Sequence, residues 1–133
     1  MSSDEEVVLR YLELSNSGRG DEAEAMEHPE IRFWISGRLI MSGELKKSQH
    51  RKASANLFST FPNGYRLHIK SVTSCAGRVV LEARGEGQLA DGTTYSPDYC
   101  MVFELAGGLI TAMREYIDTE YVSATFSVPL KAG

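Results

Sequence analysis

Cysteine is scarce in this chain. Only Cys75 and Cys100 occur, without a CxxC spacing, which points to reduced, buried thiols in a cytoplasmic protein and leaves a single disulfide open. The three histidines, His28, His50 and His68, are scattered, with no HxxxH or HExxH unit, so no metal site is expected. No apolar run approaches the roughly 20 residues that span a bilayer, which excludes a membrane role. The start, Met1-Ser2-Ser3-Asp4-Glu5-Glu6, is acidic and has no apolar signal core behind it. Positive charge is also short. The net charge is −4, and the densest basic group, Lys46, Lys47, Arg51 and Lys52 around His50, reads as a solvated helix face. Nucleic acid is therefore not an expected partner. No GxGxxG, GxxxxGK[ST] or GxSxG unit is present, and Arg84-Gly85-Glu86-Gly87 is too short to cradle phosphate. No cofactor and no serine-nucleophile chemistry are indicated.

What is present suffices for one domain over residues 1–133, with an apolar fraction of 42% for its core. Ser3 or Asp4 can cap a first helix, carried by Val7, Val8, Tyr11, Leu12 and Leu14 and ended by Ser15-Asn16-Ser17-Gly18. A short second helix is expected over Asp21 to Glu27, before Pro29. Ile31 to Ile35 and Arg38 to Met41 read as a hairpin, and Gly43 to Phe61 as a third helix. Four long strands follow, at Tyr65 to Cys75, Arg78 to Leu89, Thr93 to Leu105 and Leu109 to Asp118, then a helical tail over Thr119 to Phe126. Helices first and antiparallel strands after predict an α+β domain, its helices covering a strongly bent sheet that encloses a pocket.

The last strand carries the chemistry. Strand alternation puts Thr111, Met113, Glu115 and Ile117 on one face and Ile110, Ala112, Arg114 and Tyr116 on the other. A carboxylate among such apolar neighbours as Met113 loses hydration, and its pKa rises toward neutrality, where it can trade protons. Glu115 is the candidate acid/base. A surface residue or a structural ion-pair partner is the alternative at that position. His50, with Ser54 four residues on, and Tyr95, with its phenol, are candidates to hold the same bound group. Glu82 and Arg84 alternate with apolar residues. They address a ligand if their face is concave and form ordinary ion pairs if it is solvent. Trp34 is a further substrate-binding candidate, with core or rim as its other readings.

These segments resemble a known family. Glu82-Ala83-Arg84-Gly85-Glu86-Gly87, Phe103-Glu104-Leu105 with Gly108-Leu109-Ile110, and Arg114-Glu115-Tyr116-Ile117-Asp118, in this helix–strand order, are similar to the SnoaL-like branch of the NTF2-like superfamily. That branch implies a cone-shaped (cystatin-like) α+β fold. The superfamily includes ketosteroid isomerases, polyketide cyclases and limonene epoxide hydrolases. Within it the phenazine-biosynthesis A/B proteins are similar in their Arg-Gly-Glu-Gly strand, in a helix matching Gly43, His50 and Ser54, and in a tyrosine and glutamate matching Tyr95 and Glu115. The resemblance implies that His50, Ser54, Tyr95 and Glu115 line the pocket, with Glu115 as acid/base. A basic pocket residue of those proteins has no match, since Asp21 to Glu30 contains no Arg or Lys. Limonene epoxide hydrolases resemble the chain from Arg114 to Asp118 and through Pro129-Leu130. Their aspartate falls at Glu115, but their Arg-x-Asp pair falls at Glu82-x-Arg84 with the charges reversed.

The expectation is a cofactor-free enzyme that isomerises, dehydrates, cyclises or condenses a small cyclic or apolar metabolite. Its catalytic residues would be Glu115, His50 and Tyr95, with Ser54, Glu82, Arg84, Trp34 and Met113 binding substrate. An epoxide hydrolase and a non-catalytic ligand-binding module are the rival readings. A homodimer is expected through the outer sheet face, with Arg114, Tyr116, Tyr99 and Phe103 assigned to that face.

Overall fold

The computed structural model describes residues 3–132, so the Met1-Ser2 opening of the acidic segment lies outside the described residues. Helix α1 spans Ser3–Asn16 and buries Val8, Tyr11, Leu12 and Leu14, the stripe that helical spacing predicts. Ser3 and Asp4 both fall inside it. Helix α2 (Gly20–Glu24) is shorter than expected, because Glu27 already belongs to strand β1 (Glu27–Ile35). Pro29 therefore sits within a strand, near its beginning, instead of ending a helix.

The partner of β1 is β2 (Gly43–Leu45), paired Phe33 to Leu45 and Ile35 to Gly43, in place of the expected Arg38 to Met41 strand. The segment between is a loop tied by Ser42. Its hydroxyl accepts from the Leu39 N–H and donates to the Ser36 carbonyl, both at 2.8 Å. Helix α3 consequently covers only Lys47–Ser59, leaving Gly43 and Phe61 outside it.

Strands β3 (Tyr65–Cys75), β4 (Arg78–Gln88), β5 (Thr94–Tyr95), β6 (Asp98–Ala106) and β7 (Leu109–Ile117) complete a seven-stranded sheet, ordered β2-β1-β7-β6-β4-β3 with β5 beside β4. The expected Thr93 to Leu105 strand is broken because Pro97 has no N–H to offer; its carbonyl instead accepts from Gly85 N–H at 2.9 Å. All pairings are antiparallel except β1 with β7, which run parallel and bring Ile35 opposite Glu115. Helix α4 (Thr119–Phe126) follows, capped by Asp118, whose carboxylate accepts from the Tyr121 N–H at 3.1 Å.

Burial tells the two faces of the sheet apart. Val79, Leu81, Ala83, Gly85 and Gly87 of β4 and Tyr99, Met101, Phe103 and Leu105 of β6 point inward. Tyr99 and Phe103 thus belong to the concave side, not to the outer face; Arg114 and Tyr116 do lie on the outside, Tyr116 being 43% exposed. On β7 the simple alternation fails once. A bulge between the Glu104 and Leu105 pairings inserts Thr111, so Ile110 turns inward with Met113 and is fully buried. Both cysteines are free thiols, but Cys75 is exposed rather than buried.

Candidate functional site

The concave face does not fill with side chains. Two cavity lobes of about 380 Å³ and about 400 Å³ lie side by side on the concave face, and both are bordered by His50, Ser54, Leu57, Tyr99 and Glu115. Those shared residues form the waist between the two lobes of the hollow. Helix α3 explains why space remains: it has no buried residue, since its inward positions, His50, Ala53, Ser54 and Leu57, face the hollow instead of the sheet. Two glycines of β4 make room for aromatic rings on the concave face. A Cβ at Gly85 would overlap the Tyr65 hydroxyl, and one at Gly87 would press on the Phe61 ring, so only glycine lets these aromatics lie on the strand.

Glu115 reaches the waist from β7. Loss of hydration alone pushes its carboxyl up to about 7, and among the described residues no side chain bonds or pairs with it. Opposite, the His50 ring lies flat on Phe33, centroids 3.9 Å apart and planes within 6°. Burial, helped by the adjacent Arg51 cation, holds His50 down at about 4, so the imidazole is neutral at physiological pH. Ser54 lies one helical turn on, and Tyr95 rises from β5 in the first lobe, packed between Phe126 at 4.8 Å and Tyr121 at 5.0 Å. Burial raises the Tyr95 phenol's pKa, assisted by Tyr65 and Glu115, which keeps it protonated. Polar groups inside proteins nearly always find partners. The side chains of His50, Ser54, Tyr95 and Glu115 have no protein hydrogen bond among the described residues, and all border the same space.

Two tyrosines that the sequence reading did not place here complete the waist. Tyr65 and Tyr99 join hydroxyl to hydroxyl at 2.6 Å, with Tyr99 on both lobes. One of the two hydroxyls must donate to the other, leaving one O–H to point elsewhere. Burial holds both phenols above their ordinary range, and the charge of Glu115 acts on each in the same direction. The signal for Tyr99 was available: it alternates in phase with Met101, Phe103 and Leu105 along β6.

Met113 borders the second lobe, next to Glu115 on the sheet floor. Three expected ligand-binding residues do not border the hollow. Glu82 is on the convex face, where it accepts from the Ser71 hydroxyl at 2.8 Å. Arg84 is exposed and pairs with Asp98 at 3.0 Å. In β4 the inward positions are taken by the apolar residues and glycines, so alternation sends both charges out to water. Trp34 also faces outward, its ring 5.1 Å from that of Tyr116. Among the described residues no group of His, Cys, Asp and Glu is arranged to hold a metal ion, and no helix is long and apolar enough to cross a membrane.

The second lobe has a polar end of its own. Tyr11 of α1 donates to the Glu27 carboxylate at 2.6 Å, and Lys47 and Arg51 of α3 stand 3.3 Å and 3.5 Å from the other Glu27 oxygen. Glu27 is buried, its side chain only 5% exposed. Reading Glu27 as the end of a helix concealed this group.

Comparison with known proteins agrees with this architecture. AclR, a candidate hydroxylase from Streptomyces galilaeus, superposes with a TM-score of 0.79 at 14% identity, over 93% of this chain and 95% of its own. An NTF2-like protein of unknown function from Burkholderia pseudomallei K96243 gives 0.78 at 15% identity, over 93% and 97%. A candidate SnoaL-like polyketide cyclase from Jannaschia sp. CCS1 gives 0.76 at 24% identity, over 96% and 93%. No curated protein matches the sequence itself. These likenesses fix the fold as NTF2-like α+β, a curled sheet clasped by helices. The SnoaL-like domain model matches residues 8–113, and the chain belongs to the SnoaL-like family.

Proposed function

We propose that residues 1–133 act as one small-molecule enzyme in which the Glu115 carboxyl moves a proton at a carbon centre of an apolar, ring-bearing substrate. The observation that carries this reading is the place of the carboxyl, which borders both lobes of the hollow with no side-chain partner among the described residues, so that loss of hydration pushes it up to about 7. A base whose pKa lies near the operating pH is present in both forms and can take a proton and return it. In the charged form Glu115 abstracts a proton next to a carbonyl, and negative charge develops on the carbonyl oxygen. In this reading the free O–H of the Tyr65–Tyr99 pair donates to that oxygen, and neutral His50, Ser54 and Tyr95 hold the substrate through hydrogen bonds; the shared border of these groups with the hollow supports it. Protonated Glu115 then returns its proton to another atom, giving an isomerised or cyclised product, or assists a leaving hydroxyl, giving a dehydrated one. A positioned acid/base contributes roughly 10²–10⁴-fold and fixed hydrogen-bond donors at the developing charge about as much again.

Replacing Glu115 by Gln separates this reading from its rivals. For an enzyme, ligand binding survives while turnover collapses; for a ligand-binding module without chemistry, the substitution changes neither affinity nor phenotype. Incubation with simple epoxides in isotopically labelled water tests the hydrolase alternative, which requires labelled diol to form. For that chemistry the outward placement of Glu82 and Arg84 leaves Glu115 without the neighbouring arginine and second acid of a water-activating set. We also infer a homodimer through the convex sheet face, where exposed Tyr116 packs on half-buried Trp34 beside Arg114.

A further inference from the structure

We infer that the second lobe is a recognition site for a hydroxyl or N–H donor at the substrate's far end, read by the Tyr11–Glu27 pair. This rests on the proposed function, in that the waist at Glu115 is taken as the reacting end. The lobe continues past that waist and is walled by Leu12, Phe58, Leu67, Met101 and Met113. A molecule filling only the first lobe would leave a volume of about 400 Å³ unfilled. One long enough to enter the second lobe meets Tyr11, Glu27 and Arg51 there.

The chemistry of that end selects what it binds. Two carboxylates, Glu24 and Glu27, face two cations, Lys47 and Arg51, and each cation contacts both acids. The positive charge is already matched, so an anionic group arriving here would have to compete with Glu27 for its own partners. The Tyr11 proton is committed to Glu27, which leaves the phenol oxygen able to accept. The group therefore has acceptor capacity to spare, and the N–H donors left over on Lys47 and Arg51 carry no unmatched positive charge. A neutral hydroxyl or N–H is the complement; a carboxylate is not. Burial and the Glu27 bond both hold the Tyr11 phenol in its protonated form, so this preference does not change across the workable pH range.

The test is binding of biphenyl, 4-hydroxybiphenyl and biphenyl-4-carboxylate to the intact protein, followed by calorimetry, so that no turnover is needed. One net hydrogen bond predicts about three- to tenfold tighter binding of 4-hydroxybiphenyl than of biphenyl, with the carboxylate weakest. Tyr11→Phe is expected to abolish that preference while leaving biphenyl affinity within about twofold, and Glu115→Gln to leave the preference intact. Methyl-labelled methionine provides a readout that needs no variant. The hydroxylated ring should lie against the Met101 and Met113 methyls of the second lobe, not against Met41 of the first. Equal affinity for the two neutral probes, a preference that persists in Tyr11→Phe, tighter binding of the carboxylate, or contacts to Met41 alone would overturn the inference. None of these outcomes touches the acid/base role, which stands or falls on turnover by Glu115→Gln.

Discussion

The hydroxyls of Tyr65 and Tyr99 lie 2.6 Å apart at the waist of the hollow, and both phenols sense the Glu115 carboxyl. A carboxyl and a donor pair border one cavity from three strands, as the proposed chemistry requires: one to take a proton, the other to stabilise the charge left behind. Tyr99→Phe removes the shared hydrogen bond and the member of the pair that borders both lobes. Turnover is expected to fall by about 10²–10³ with KM little changed, and stability by roughly 1 kcal/mol. Steady-state kinetics beside a denaturant melt check both figures.

The pH dependence of kcat/KM follows from Glu115. In the proposed reaction it acts first as a base and is inactive when protonated, so the profile should rise with pH and level off above about 7. His50, held at about 4, contributes no limb near neutrality. A plateau extending unchanged down to pH of about 5 would remove Glu115 as the base.

Stability carries the same two groups with opposite signs. Glu115 is raised, so the folded state holds a proton that the unfolded chain releases, and stability falls as pH climbs from about 4.5 to about 7. His50 is lowered, so stability instead falls as pH drops from about 6.5 to about 4. The two slopes oppose each other between these limits. Glu115→Gln removes the first, and its advantage over the parent should grow through that window to roughly 2 kcal/mol and then stay constant, with water in the open hollow reducing the full shift. Urea melts at pH 5, 6, 7 and 8 measure it.

Gly85→Ala is expected to destabilise by about 1–3 kcal/mol, because the new methyl must displace the Tyr65 hydroxyl and with it the Tyr99 bond. Gly92→Ala is the useful contrast, being strained by its φ of 89° but having nothing within reach of its Cβ. Only the Gly85 variant should alter ligand affinity.

The convex aromatic pair gives the fifth expectation. Tyr116→Glu places a charge on a face that the proposed dimer covers, and sedimentation velocity at micromolar concentration should show monomer for the variant and dimer for the parent. A parent that sediments as monomer would remove the dimer.

Much of this was legible along the chain, and the exceptions have local causes. Glycine-marked turns delimited β3, β4 and β7 to within a residue, and the His50–Ser54 spacing put both residues toward the hollow once α3 was helical. Proline misled twice in opposite directions: Pro29 sits within a strand, while Pro97 splits one. The Thr111 bulge reverses Ile110, which strict alternation cannot foresee. For Glu82 and Arg84, alternation left two faces open, and only the closure of the sheet over its small residues chose between them. The Tyr11–Glu27 pair joins residues 16 positions apart in the chain, and Glu27, which opens β1, had the sequence pattern of a helix end.

The central claim is a carboxyl that titrates near neutrality inside the hollow. Carbon-detected NMR of side-chain-labelled glutamate, compared between the parent and Glu115→Gln, isolates that one resonance. The account predicts a midpoint at about 7. A midpoint at the ordinary glutamate value of about 4.3 would contradict it.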